Sequence, residues 1–187
     1  DFGKFAEEAE SSACENCDEG KYSADVEGAS SCIACGAGRH ASGVGNDACY
    51  ICAAGKYSLL ASDECSNCES GKYSASQESS SCSICEKGFF SLSGSSVCTA
   101  CSAGYYSSST GSSGCTACGI GKISSALTAS TECADCEAGE YNGVEAQSVC
   151  LSCDVGTYSG ASATACIDCG PGTYAATLKS VACLSCE

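Results

Sequence analysis

An aromatic or apolar side chain recurs about every 17 residues, at Phe5, Tyr22, His40, Tyr57, Tyr73, Phe90, Tyr106, Ile123, Tyr141, Tyr158 and Tyr174. Each stands two residues after a glycine and is followed by a small residue, usually Ser or Ala, as in Gly20-Lys-Tyr-Ser, Gly55-Lys-Tyr-Ser and Gly156-Thr-Tyr-Ser. The glycine slot never varies; it reads Gly3, Gly20, Gly38, Gly55, Gly71, Gly88, Gly104, Gly121, Gly139, Gly156 and Gly172. Such regularity implies a turn with positive φ, or a backbone approach too close for a Cβ, in every repeat. The pattern predicts a tight turn at each glycine, strands of two or three residues around it, and little helix.

Cysteine sets the same period. All 22 cysteines fall into eleven Cys-x-x-Cys pairs, beginning at Cys14, Cys32, Cys49, Cys65, Cys82, Cys98, Cys115, Cys133, Cys150, Cys166 and Cys183. Successive starts are separated by 18, 17, 16, 17, 16, 17, 18, 17, 16 and 17 residues. The chain therefore reads as one continuous array over residues 1–187 of about eleven repeats. Every second interval is 17, so the repeats also divide into pairs of about 34 residues. One planar side chain per repeat is expected to pack on a neighbouring disulfide and to supply most of a small core.

Composition explains why cysteine must carry the fold. The 44% of residues classed as hydrophobic is inflated by Cys and Ala; Trp and Met are absent and aromatics reach only 7%. Cysteine at about 12% of 187 residues exceeds the level that marks a disulfide scaffold. Disulfides at this density belong to oxidising compartments, so the chain is expected outside the cell, secreted or at its surface. The net charge of −15 excludes nucleic acid and anionic membrane surfaces as partners. No apolar run approaches a bilayer span.

Cys-x-x-Cys-x-x-Gly-x-Tyr-Ser, as at Cys14–Ser23 and Cys49–Ser58, resembles the ephrin-receptor-like, or TNF-receptor-like, cysteine-rich repeat of extracellular proteins. The resemblance runs over essentially the whole chain. It departs from the family in its proline, which often comes after the second cysteine there and here occurs only as Pro171. By that resemblance the cysteine before x-x-Gly-x-Tyr pairs with the next one along. This joins Cys17 to Cys32, Cys35 to Cys49, Cys52 to Cys65, Cys68 to Cys82 and Cys85 to Cys98. It continues with Cys101 to Cys115, Cys118 to Cys133, Cys136 to Cys150, Cys153 to Cys166 and Cys169 to Cys183. Cys14 and Cys186 are left over, with partners expected outside the segment. An interleaved scheme, with bridges such as Cys32 to Cys49 and Cys35 to Cys52, fits the spacing as well. Each sequential loop is worth about 3 kcal/mol in the chain-entropy model. The implied fold is a small disulfide-rich repeat array, an elongated solenoid-like rod of short strands and turns.

Asp1-Phe2-Gly3-Lys4-Phe5-Ala6 matches the residues that come after a second cysteine in the other repeats, and only Glu187 lies beyond Cys186. The array is therefore expected to be uncapped and part of a longer one, with a cysteine before Asp1 bonded to Cys14.

No other chemistry competes well. The cysteine spacing approaches that of zinc ribbons, but four ligands per site leave one of the eleven pairs unused. Thioredoxin-like redox chemistry uses one activated pair at a helix start, whereas eleven copies are scaffolding. His40, beside Arg39, occupies the aromatic slot and completes no catalytic triad. Glu7, Glu8, Glu10, Glu15, Asp18 and Glu19 form an acidic, solvated face without a calcium-loop pattern. Asn16, Asn46, Asn67 and Asn142 lie outside glycosylation sequons, while Ser79–Ser81, Ser107–Thr110 and Ser124–Ser125 are possible O-glycan carriers. No enzyme activity, cofactor or metal is expected. The expected role is that of a structural extracellular repeat protein, a rod, fibre or surface-coat segment that self-associates or continues into a filament. A ligand-binding ectodomain of a receptor or adhesin is the alternative, with Arg39, His40, Tyr50, Phe89 and Tyr105 as its scattered atypical residues.

Overall fold

A computed structural model of the chain describes residues 2–8, 13–24, 28–124 and 129–187. Two-residue strands pair antiparallel in successive hairpins. Hairpins 1 to 5 pair Lys4–Phe5 with Glu15–Asn16, Lys21–Tyr22 with Ile33–Ala34, Arg39–His40 with Tyr50–Ile51, Lys56–Tyr57 with Ser66–Asn67, and Lys72–Tyr73 with Ser83–Ile84. Hairpins 6 to 8 pair Phe89–Phe90 with Thr99–Ala100, Tyr105–Tyr106 with Thr116–Ala117, and Lys122–Ile123 with Ala134–Asp135. Hairpins 9 to 11 pair Glu140–Tyr141 with Leu151–Ser152, Thr157–Tyr158 with Ile167–Asp168, and Thr173–Tyr174 with Leu184–Ser185. There is no helix among the described residues, and the protein is a small disulfide-rich repeat array.

Each strand is short because its neighbours are spoken for. The glycine before the first strand is the third residue of a four-residue turn, closed where Lys21 N–H donates to the Asp18 carbonyl at 3.1 Å. Gly20 has φ 72° there, the backbone of a type II turn. The cysteine after the second strand closes the ladder: Cys35 N–H donates to the Gly20 carbonyl at 2.8 Å, and all the hairpins repeat this bond. The second strand is simply the two residues inside Cys-x-x-Cys.

The chain divides into two compact units, residues 1–85 with 91–98 and residues 86–90 with 99–187. Within each, hairpins are joined by the backbone. In the first unit the Gly20 N–H donates to the Ala41 carbonyl and the Gly38 N–H to the Ser58 carbonyl, both at 2.9 Å. In the second, the Gly88 N–H does the same to Ser107 and the Gly139 N–H to Ser159, both at 2.9 Å. Within a unit, hairpins also reach the hairpin two places on. Ala61 N–H donates to the Cys35 carbonyl at 2.8 Å, and Ala146 N–H to the Cys118 carbonyl at 2.8 Å. These bonds do not distinguish odd from even hairpins.

The planar side chains, expected to pack on neighbouring disulfides and supply most of the core, do not form the buried interior. The aromatic slot is half-buried in hairpins 1 to 10, and Tyr174 is exposed. The fully buried side chains are instead the second cysteines of nine pairs, from Cys17 to Cys153, each at 1% exposure or less. Beside them lies the small residue after the aromatic: Ser23, Ala41, Ser58, Ser74, Ser91, Ser107, Ser124, Asn142, Ser159 and Ala175 are all buried. Where one of these carries a hydroxyl, a carbonyl commonly meets it. Ser58 Oγ donates to the Arg39 carbonyl at 2.8 Å, Ser91 to Lys72 at 2.9 Å, and Ser159 to Glu140 at 2.9 Å. Asn142, larger than serine, is accommodated in the same slot, its Nδ2 donating to the Lys122 carbonyl at 2.8 Å.

Candidate functional site

The structure pairs Cys17–Cys32, Cys35–Cys49, Cys52–Cys65, Cys68–Cys82 and Cys85–Cys98 in the first unit. In the second it pairs Cys101–Cys115, Cys118–Cys133, Cys136–Cys150, Cys153–Cys166 and Cys169–Cys183. Each bridge ties the start of a hairpin to the residue before its second strand, closing the loop of that hairpin alone. Cys14 and Cys186 are exposed thiols.

Side-chain charges meet between hairpins. Arg39 Nε donates to Glu78 Oε1 at 2.5 Å, from hairpin 3 to hairpin 5, and Lys179 of hairpin 11 pairs with Glu140 of hairpin 9. In hairpin 8, Lys122 donates to Asp135 Oδ1 at 2.6 Å, and the Ser162 hydroxyl of hairpin 10 donates to the same oxygen at 2.8 Å. These two donors hold the Asp135 carboxyl below its ordinary pKa, Lys122 having the larger effect. Apart from the half-buried Glu140 these side chains are solvent-exposed, so each pair stabilises little.

Recurrent open clefts lie where an aromatic slot meets the next hairpin. Tyr22 faces Arg39 and Cys49; Tyr57 faces Lys72 and Cys82; Tyr106 faces Lys122 and Cys133 in a cleft of about 520 Å³. Each combines a ring, the next hairpin's cation and its bridge.

His40 stands in this same slot. Its Nδ1 lies 3.0 Å from the Tyr50 carbonyl oxygen and 3.1 Å from Cys65 Sγ, with its ring centroid 6.1 Å from that of Tyr50. His40, Cys52 and Cys65 come together closely enough to share a metal ion, yet the two sulfurs are bonded to each other and offer no thiolate.

The acidic side chains Glu7, Glu8, Glu15, Asp18 and Glu19 are exposed and converge on no site, with Asp18 paired to Lys21 at 3.5 Å; Glu10 lies outside the described residues. Ser107 and Ser124 are buried, with hydroxyls bonded to Ser109 and Ser130 respectively, so neither is open to a glycan. Ser80, Ser81, Ser108, Ser109 and Thr110 are exposed, and Ser125 lies outside the described residues.

Residues 88–130 and 156–187 match the model of the family described as tyrosine-protein kinase ephrin type A/B receptor-like. Over those two segments the chain is similar to the ephrin-receptor-like cysteine-rich repeat. A search of curated proteins finds no match. The matched segments hold the same glycine turn and sequential bridge as the hairpins outside them. Ephrin-receptor-like repeats and ten disulfides both point to an extracellular location and a non-enzymatic domain. No helix among the described residues is long and apolar enough to cross a membrane.

Sequence reasoning missed two features of these repeats. The hairpin two places on lays a left-handed loop residue over each turn glycine it reaches, and no residue type marks that position. The buried small residue after the aromatic was legible as Ser or Ala, but its place between hairpins was not.

Proposed function

We propose that the chain is a structural segment of an extracellular protein, a stapled spacer in a fibre, stalk or surface coat, secreted or held at the cell surface. The observation that carries this reading is that hairpins are joined to one another by backbone hydrogen bonds. A lattice of that kind propagates whatever the exposed side chains are, which suits length more than recognition. Self-association into filaments and O-glycans on exposed hydroxyls such as Ser108, Ser109 and Thr110 belong to the same proposal. Electron microscopy of the native material tests it. Filaments or a coat with a regular axial repeat are expected, and isolated ectodomains without such order would overturn it.

A ligand-binding ectodomain is the second reading, favoured by the family match and by one surface. Leu151, Ile167 and Leu184 are 54%, 55% and 59% exposed in hairpins 9 to 11. They sit across the strand from Tyr141, Tyr158 and Tyr174. On that reading, replacing all three aliphatics by Ser abolishes cell-surface or ligand binding and leaves the fold intact.

A further inference from the structure

We propose that Cys52–Cys65 is a thiol-exchange site, the bridge of this array that opens first to an extracellular dithiol, and that His40 makes it so. Nine of the ten bridges, all but Cys169–Cys183, share one arrangement: a buried leading cysteine, here Cys52 at 1% exposure, and a more accessible partner, here Cys65. What differs is the side chain lying against them. In the other hairpins the slot holds a phenol, a phenyl ring or isoleucine, and no hydrogen bond from it to a bridge sulfur occurs among the described residues. In hairpin 3 it holds the sole histidine of the chain, with Nδ1 3.1 Å from Cys65 Sγ.

The proton is on the nitrogen that matters. Both near neighbours of Nδ1, the Tyr50 carbonyl oxygen at 3.0 Å and the sulfur, are acceptors, so Nδ1 carries the hydrogen. Against a disulfide that N–H is a weak contact. Against a thiolate it becomes a charge-assisted hydrogen bond, which is where the gain arises.

The exchange runs in two displacements. A thiolate of the dithiol attacks the accessible Cys65 Sγ; the Cys52–Cys65 bond breaks, and Cys52 Sγ leaves with the electron pair and takes a proton from water. The second thiol of the reductant then attacks its own sulfur in the mixed disulfide. Cys65 departs as a thiolate, received by the His40 N–H, and the dithiol is oxidised to its cyclic disulfide. Two electrons pass from reductant to bridge. The hydrogen bond stabilises the reduced product, so the position of equilibrium favours opening of this bridge.

A hydrogen bond to a charged acceptor shifts an equilibrium by roughly tenfold or more. Tenfold for this two-electron couple is about 30 mV. The test equilibrates the full chain in graded mixtures of reduced and oxidised dithiothreitol, quenches in acid, alkylates and maps the modified cysteines by mass spectrometry. Cys52 and Cys65 should be half-labelled at a reduced-to-oxidised ratio about tenfold below that of the other bridges. His40→Tyr, which restores the commonest residue of the slot, should bring them level with the rest. The reverse variant Tyr106→His places an imidazole against Cys118–Cys133 and should make that bridge open early too. The proposal is overturned if Cys52 and Cys65 open with or after the others, if His40→Tyr leaves the order unchanged, or if Tyr106→His leaves Cys118–Cys133 where it was.

Discussion

Two left-handed backbone positions face each other along the array, and they are filled by opposite rules. The turn position is glycine in every hairpin. The loop position opposite it, two hairpins on, is Gly45, Ala61, Glu78, Gly94, Ala129, Ala146, Ser162 or Lys179, with φ between 57° and 77°. Conformation alone does not explain the difference, since both positions have positive φ. Space does. A Cβ on Gly104 would stand 2.0 Å from the Ala146 carbonyl oxygen, and one on Gly20 would stand 2.1 Å from that of Ala61. The loop residue points its own side chain outward, so it bears only the modest strain of a left-handed L-residue. A φ requirement makes glycine preferred; a facing carbonyl makes it obligatory.

The largest expected effect breaks the obligatory side. Gly104→Ala adds both the strained φ of 84° and the collision with Ala146, and should lose about 3–5 kcal/mol, read as a fall in the denaturation midpoint without reductant. Gly43→Ala separates the two causes. Gly43 lies inside a loop with φ 69° and nothing within 4 Å of its missing Cβ, so the strain stands alone at about 1–2 kcal/mol. Equal losses at the two glycines would show that the facing carbonyl contributes nothing.

Smaller effects sharpen the permissive side. Ala146→Gly removes the strain of φ 59° and should raise stability by up to about 1 kcal/mol, measured in the same titration. The smallest effect concerns the loop residue Ser162, which hydrogen-bonds Asp135. Because the Asp135 pKa is depressed in the folded state, its contribution is present above the ordinary carboxylate range and is lost as pH falls through the folded value. Acid titration of wild type against Asp135→Asn should show a slightly steeper loss below the ordinary carboxylate range for wild type. Identical profiles would remove the Lys122–Asp135–Ser162 contact from the account.

This division also explains what the sequence could and could not disclose. The turn glycine, the cysteine period and the two-residue strands were legible because each obeys a rule that no side chain can evade: a turn where a facing carbonyl leaves no room for a Cβ, a ring that must close. The loop position was not legible, because Ala, Glu, Ser and Lys can all occupy it at modest strain and so leave no residue signature. The rings were overrated as core. Tyr22 and Tyr57 lie half-buried along clefts, while Ser23, Ser58 and the junction cysteines fill the interior. Serine reads as a surface residue until a backbone carbonyl of the neighbouring hairpin is known to meet it. His40 was recognised as filling the ring slot, but the distance from its Nδ1 to a sulfur depends on the fold of hairpin 4, which sequence spacing does not specify.

The pairing of cysteines also determines how the chain carries tension. Because each bridge closes its own hairpin, the shortest covalent path along the array bypasses the loops. It runs from Cys17 across the sulfurs to Cys32, through Ile33 and Ala34 to Cys35, and across again to Cys49. A pulling force is borne by the short Cys-x-x-Cys segments and the sulfur bonds, while the intervening loops hang slack as stored length. Opening one bridge releases that length. From Cys52 to Cys65, a sequence separation of 13 now spans 5.6 Å from Cα to Cα. Drawn straight it reaches roughly 45 Å, so a single two-electron reduction lengthens the tether by about 40 Å.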